Sequence, residues 1–152
     1  MSYNSSANVF VTNNSGGNAN IHLSHQYSDD STQQQTWNGV SPGATTQSPL
    51  VVGFNTGFLR TGLDYWWIGI QVLDGPNAGN YQSKGSADNP GKECFLQSSD
   101  NGKNLTFSVD TGTFLISEIS GSCSTGMSQV SAADVTNAKA VARAAAAKAG
   151  GS

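Results

Sequence analysis

A chain of 152 residues with only 11% charged residues and 18 glycines, where globular proteins average about 25% charged, suits one domain of short strands and turns, not long salt-bridged helices. Its net charge of −3, with Arg60, Lys84, Lys92 and Lys103 scattered over separate segments, argues against a nucleic-acid surface and against an anionic membrane face. No run of about 18 apolar residues occurs, so no transmembrane segment is expected. The opening Met1-Ser2-Tyr3-Asn4 has neither a basic nor an apolar leader region, which predicts a cytoplasmic protein or one exported without a signal peptide.

Residues 1–7 read as an extension. From Asn8 to Met127 apolar residues recur at period two, broken roughly every 8 to 12 residues by turn clusters, the pattern of an antiparallel β-sandwich. About nine strands are expected, over Asn8–Thr12, Ala19–Tyr27, Thr32–Asn38, Ser48–Phe54, Asp64–Leu73, Asn80–Lys84, Glu93–Gln97, Asn104–Val109 and Thr113–Ile119. Ser41-Pro42-Gly43 and Asn89-Pro90-Gly91 read as turns, and Asp100-Asn101-Gly102 as a hairpin. Alternation predicts a core of Val9, Val11, Ile21, Leu23, Leu105, Phe107 and Val109, joined by Trp66, Ile68, Ile70 and Val72 from a central strand. Tyr65 and Trp67 then point the other way. Gly121-Ser122-Cys123-Ser124-Thr125-Gly126 reads as a linker.

Residues 128–152 follow other rules. Alanine dominates, Ser131 and Asp134 have capping-box spacing, Lys139, Arg143 and Lys148 favour the negative end of a helix, and Gly150-Gly151 would stop it. A C-terminal alanine-rich α-helix is expected. Its thin apolar face suggests a homo-oligomer contact or a tether.

The chemistry is sparse. His22 and His25 stand three apart on an expected strand, so alternation sends them to opposite faces and away from a shared metal. Cys94 and Cys123, the two cysteines, leave two possibilities: a disulfide, or two thiols in a reducing compartment. Glu93 and Glu118 are the two glutamates, too few for a paired-carboxylate hydrolase, and Asp29, Asp30, Asp74, Asp88 and Asp100 form no recognisable calcium loop. No catalytic residue, cofactor or metal site is expected. Among the aromatic residues, Trp37 and Trp67, with Tyr65 and Asn38, could form an apolar platform with an amide rim for a glycan or lipid headgroup.

The runs Val11-Thr12-Asn13-Asn14-Ser15-Gly16-Gly17, Val52-Gly53-Phe54-Asn55-Thr56-Gly57-Phe58, Asp64-Tyr65-Trp66-Trp67 and Leu73-Asp74-Gly75-Pro76-Asn77-Ala78-Gly79 resemble the up-regulated-in-daf domain family, seen in fungi, bacteria and nematodes. The likeness covers about Asn8 to Met127. It implies a compact β-sandwich and brings no activity, ligand or catalytic residue with it. The expected function is therefore a non-enzymatic recognition module, lectin-like or surface-binding. A self-assembling structural protein using the C-terminal helix, or a calcium-dependent membrane-binding or toxin-like protein, are the alternatives.

Overall fold

Strands with one apolar face need a second surface to cover it, and in the computed structural model, which describes residues 3–58 and 62–131, the chain supplies that surface itself. One sheet holds β1 (Ser5–Asn13), β4 (Leu50–Phe54), β8 (Asn104–Val109), β9 (Thr113–Ser117) and β10 (Ser122–Gly126), in the order β10-β9-β8-β1-β4. The facing sheet holds β2 (Ala19–Tyr27), β3 (Gln33–Val40), β5 (Asp64–Val72), β6 (Gly79–Gln82) and β11 (Ser128–Val130), in the order β11-β6-β5-β2-β3. The two-residue β7 (Lys92–Glu93) pairs with the start of β5.

Between the sheets lies one core, with Val9, Val11, Ile21, Leu23, Trp66, Ile68, Ile70, Leu105, Phe107, Phe114 and Ile116 sealed from solvent. Each such side chain contributes about 1.5–3 kcal/mol by leaving water. β5 is central as its apolar run predicts, since it pairs with β2 along its whole length, from Ala19↔Val72 to Tyr27↔Asp64.

Five expectations need correction. The sandwich is not wholly antiparallel: β1 runs parallel to β8, Val9 opposite Leu105 and Val11 opposite Phe107. Alternation carries no direction, and the chain builds most of the second sheet before β8 is laid beside β1. The described strands number eleven. The stretch read as a Gly/Ser linker is β10, which borrows its order from β9 through pairs from Ser122↔Ser117 to Gly126↔Thr113. The helical reading of 128–152 fails where it begins, because Ser128–Val130 is β11, paired with β6 from Ser128↔Gln82 to Val130↔Asn80. Among the described residues there is no α-helix, only a 3₁₀ turn at Ser98–Asp100; residues 132–152, with Asp134 of the capping box, lie outside them.

The strand expected over Glu93–Gln97 shrinks to β7. Beyond it the Cys94 N–H is taken by the Asp64 carbonyl at 2.9 Å and the Leu96 N–H by the Asp64 carboxylate at 2.9 Å. A side chain has replaced the neighbouring strand as acceptor.

Candidate functional site

Trp37 and Asn38 sit on β3, where the chain turns at Ser41-Pro42-Gly43 and comes back along the end of β1. The returning segment is stitched down: Thr12 and Thr45 hydroxyls meet at 2.7 Å, the Thr46 hydroxyl accepts the Val11 N–H at 3.0 Å, and the Thr46 N–H donates to the Val11 carbonyl at 2.9 Å. Between β3 and this segment runs a groove of about 470 Å³. Its lining, which includes Thr36, Trp37, Asn38, Thr45, Gln47 and Ser48, holds no ionisable side chain. Trp37 is 7% exposed and faces the core, and its indole N–H donates to the Ser48 carbonyl at 2.8 Å, so an edge of the ring meets the groove.

The four-residue platform expected from the sequence is not assembled. Trp37 stands opposite Ile21 on the core face, whereas Trp67 stands opposite Ser24 on the outer face of the same sheet. Trp67 is 1% exposed, packed with Ala87, edge-on to His22 and laid over Gly69, whose hypothetical Cβ would lie 2.5 Å from the ring. Tyr65 shares the outer face of β5 with Trp67. Of the expected site, the structure brings Trp37 and Asn38 together and leaves Tyr65 and Trp67 elsewhere.

Neither histidine has a nitrogen to spare. The Gln34 amide N–H donates to the Thr32 hydroxyl and the Ala87 carbonyl, so its oxygen accepts His22 Nε2–H at 2.8 Å, and His22 Nδ1 accepts the Thr36 hydroxyl at 2.7 Å. Burial pushes the His22 pKa below its ordinary value, against a smaller opposing pull from Gln34 and Asp88. His25 points into the core, against Trp66, with Nε2 2.7 Å from Asp64 Oδ1 and Nδ1 2.8 Å from Gln33 Oε1.

Cys94 and Cys123 form a disulfide that ties the segment after β7 to β10. Glu118 lies against it, Oε1 3.4 Å from Cys94 Sγ and Oε2 buried without a hydrogen-bond partner. Burial, then the negative charges of Asp100 and Asp64, push the Glu118 pKa up to about 8. Asp100 is fully buried, its carboxylate accepting the N–H groups of Gln97, Ile119 and Ser120 and the Ser120 hydroxyl. Glu118 and the two sulfurs are close enough to suggest a metal site, but the disulfide removes both thiolates that a metal would need. The aspartates considered for calcium do not gather. Asp74 holds Asn18, Asp30 accepts from Tyr3, and Asp100 is taken up by backbone.

Sequence reasoning missed Thr45–Ser48, which reach the groove through pairing with β1, and Glu118, whose one signal was its closeness in sequence to Cys123. A second groove of about 640 Å³ has Asn55, Leu63 and Phe95 among its lining residues.

The structure defines an all-β, two-sheet sandwich with an uncharged groove beside β3. The chain belongs to the family described as Up-Regulated in long-lived daf-2, whose model matches residues 3–150, well beyond the Met127 limit of the sequence resemblance. Among curated proteins none matches the chain.

Proposed function

We propose that this protein is a non-enzymatic recognition module that takes an uncharged, polyhydroxylated ligand of the glycan kind in the groove beside Trp37. The observation that carries the reading is the lining: hydroxyls and amides from Asn38, Thr45, Gln47 and Ser48, an indole edge and the small apolar Val40 and Ala44, with no ionisable side chain. A sugar offers the complement, a rim of hydroxyls around apolar C–H faces, and neither partner has a charge to desolvate. The groove volume falls within the about 300–1,000 Å³ usual for small-ligand sites. Without an acid–base pair or nucleophile on its walls, the groove suits holding a ligand, not converting it.

A neutral-glycan array probed with the full chain tests this. Asn38→Ala and Gln47→Ala remove exposed amides that the fold does not use, so both should keep the parent's thermal midpoint and weaken binding about tenfold or more. Binding confined to charged ligands, or undiminished in both variants, would overturn the reading.

A further inference from the structure

Apart from the groove, we propose that the Cys94–Cys123 bond is a thiol–disulfide exchange site in which Glu118 gives Cys94 its proton and later takes it back. Four observations support this. A disulfide sulfur has no hydrogen to donate, so at the 3.4 Å contact between Glu118 Oε1 and Cys94 Sγ the hydrogen belongs to the carboxyl. The Glu118 carboxyl is kept protonated at neutral pH by burial and by Asp100 and Asp64, which is the state a proton donor needs.

The two sulfurs also differ in access. Cys94 is 2% exposed, whereas Cys123 is half-buried on β10, the edge strand of its sheet. An incoming thiolate therefore reaches Cys123, and Cys94 is the leaving group beside Glu118. Finally, the pieces that the bond joins stay anchored without it. Trp66 Nε1 donates to the Cys94 carbonyl at 3.0 Å, Cys94 N–H and Leu96 N–H donate to Asp64, and β10 keeps its pairing with β9. Opening the disulfide does not require the sandwich to open.

The reductant is a dithiol. One of its thiols loses a proton to solvent, and the thiolate attacks Cys123 Sγ; the Cys94–Cys123 bond breaks, its electron pair goes to Cys94 Sγ, and Glu118 supplies the proton. The reductant's second thiol, deprotonated by solvent, attacks its own sulfur in the mixed disulfide, closes the reductant's disulfide and releases Cys123, which takes a proton from solvent. Glu118 is reprotonated from solvent. In balance, two electrons and two protons pass from the dithiol to the two cysteines. In reverse, the Glu118 carboxylate accepts the Cys94 proton.

Dithiothreitol is the probe, used on the full chain, with reduction followed by acid quench, alkylation and mass. Expressed per dithiothreitol thiolate, the wild-type rate should fall as pH rises through about 8, where Glu118 ionises. Glu118→Gln should show no such fall and react about tenfold slower at pH 7, less than the about 10²–10⁴ usual for acid–base catalysis because a thiolate already leaves well. Trapping with glutathione should place the mixed disulfide on Cys123. The wild-type pH profile and the trapping site need no variant, so they decide the matter even if Glu118→Gln folds poorly. A flat wild-type profile, a mixed disulfide on Cys94, or a rate independent of dithiothreitol and equal to that of global unfolding would each overturn the proposal.

Discussion

His25 Nε2 lies 2.7 Å from Asp64 Oδ1 with both side chains sealed from solvent, a buried ion pair at the start of β5. Its partners are used up. Gln33 Oε1 accepts both His25 Nδ1–H and the Gly53 N–H, which joins β3 to β4 across the two sheets, and Asp64 Oδ2 accepts the Leu96 N–H. With Gln33, the pair thus ties together five segments of the sandwich, and removing one half leaves the other charged group buried alone.

Asp64→Ala should therefore lower the unfolding free energy by about 3–5 kcal/mol. Replacing both partners with apolar residues, His25→Phe with Asp64→Leu, should recover part of that loss because no charge is stranded. Urea midpoints of the three proteins decide this. A double variant no more stable than Asp64→Ala would mean that the stranded histidine is not what the single change costs.

Gly69 carries the next prediction. A Cβ there would stand 2.5 Å from the Trp67 ring, itself 1% exposed. Gly69→Ala forces the indole off its seat and should cost about 1–3 kcal/mol, as overpacking does. Trp67→Ala should cost about 3–5 kcal/mol through the cavity it leaves. Near-ultraviolet circular dichroism, which senses the Trp67 surroundings, should change in Gly69→Ala while the far-ultraviolet spectrum holds. An unaltered near-ultraviolet spectrum would show that the added methyl leaves Trp67 in place and that the contact with Gly69 is not tight.

Much of the fold was written in local pattern. The bounds expected for Ala19–Tyr27 and Asn104–Val109 are those observed, because both strands alternate cleanly between turn clusters. The strand Ser122–Gly126 was not legible: it has no apolar alternation and gains its order from β9. The parallel β1–β8 pair was hidden for a related reason, since pairing partners distant in sequence leave no mark on either strand alone. The same holds for the groove. Trp37 and Asn38 drew notice as an aromatic with an amide beside it, but the opposite wall depends on Thr45 meeting Thr12, a contact that no local rule foresees. Alternation rightly sends Trp67 to the outer face of β5, but it cannot show that a loop carrying Ala87 covers the ring there.

Glu118 makes stability fall as pH rises. Its carboxyl has the ordinary value of 4.5 when unfolded and about 8 when folded. Below pH 4.5 both states hold the proton. Between pH 4.5 and 8 the unfolded state releases it more readily, so unfolding is increasingly favoured, and above about 8 the loss is complete. His22, whose pKa is lowered by burial, acts in the opposite sense, taking stability away as pH falls below 6.5. Subtracting the Glu118→Gln profile from that of the wild type isolates the first effect. The difference should slope downward from pH 5 to pH 8 and then level, and a difference that is flat across that range would show the carboxyl to be solvated in the folded state.

Thr46 offers a separate test of how the groove wall is held. Its hydroxyl accepts the buried Val11 N–H at 3.0 Å while its own N–H donates to the Val11 carbonyl, so the segment acts as a short strand substitute beside β1, with one hydroxyl replacing a carbonyl. Thr46→Ser keeps that acceptor and should leave stability within about 1 kcal/mol of the parent, the loss of one methyl group. Thr46→Val keeps the shape but leaves the Val11 N–H without a partner, at a cost of about 1–3 kcal/mol. Hydrogen exchange reads the same contact directly: the Val11 amide should exchange faster in Thr46→Val and at the parent's rate in Thr46→Ser. Because the wall carries Thr45, Gln47 and Ser48 into the groove, Thr46→Val should also weaken glycan binding although Thr46 is itself buried. Equal protection of Val11 in both variants would mean that backbone pairing alone fixes the wall, and the hydroxyl would lose its place in the account.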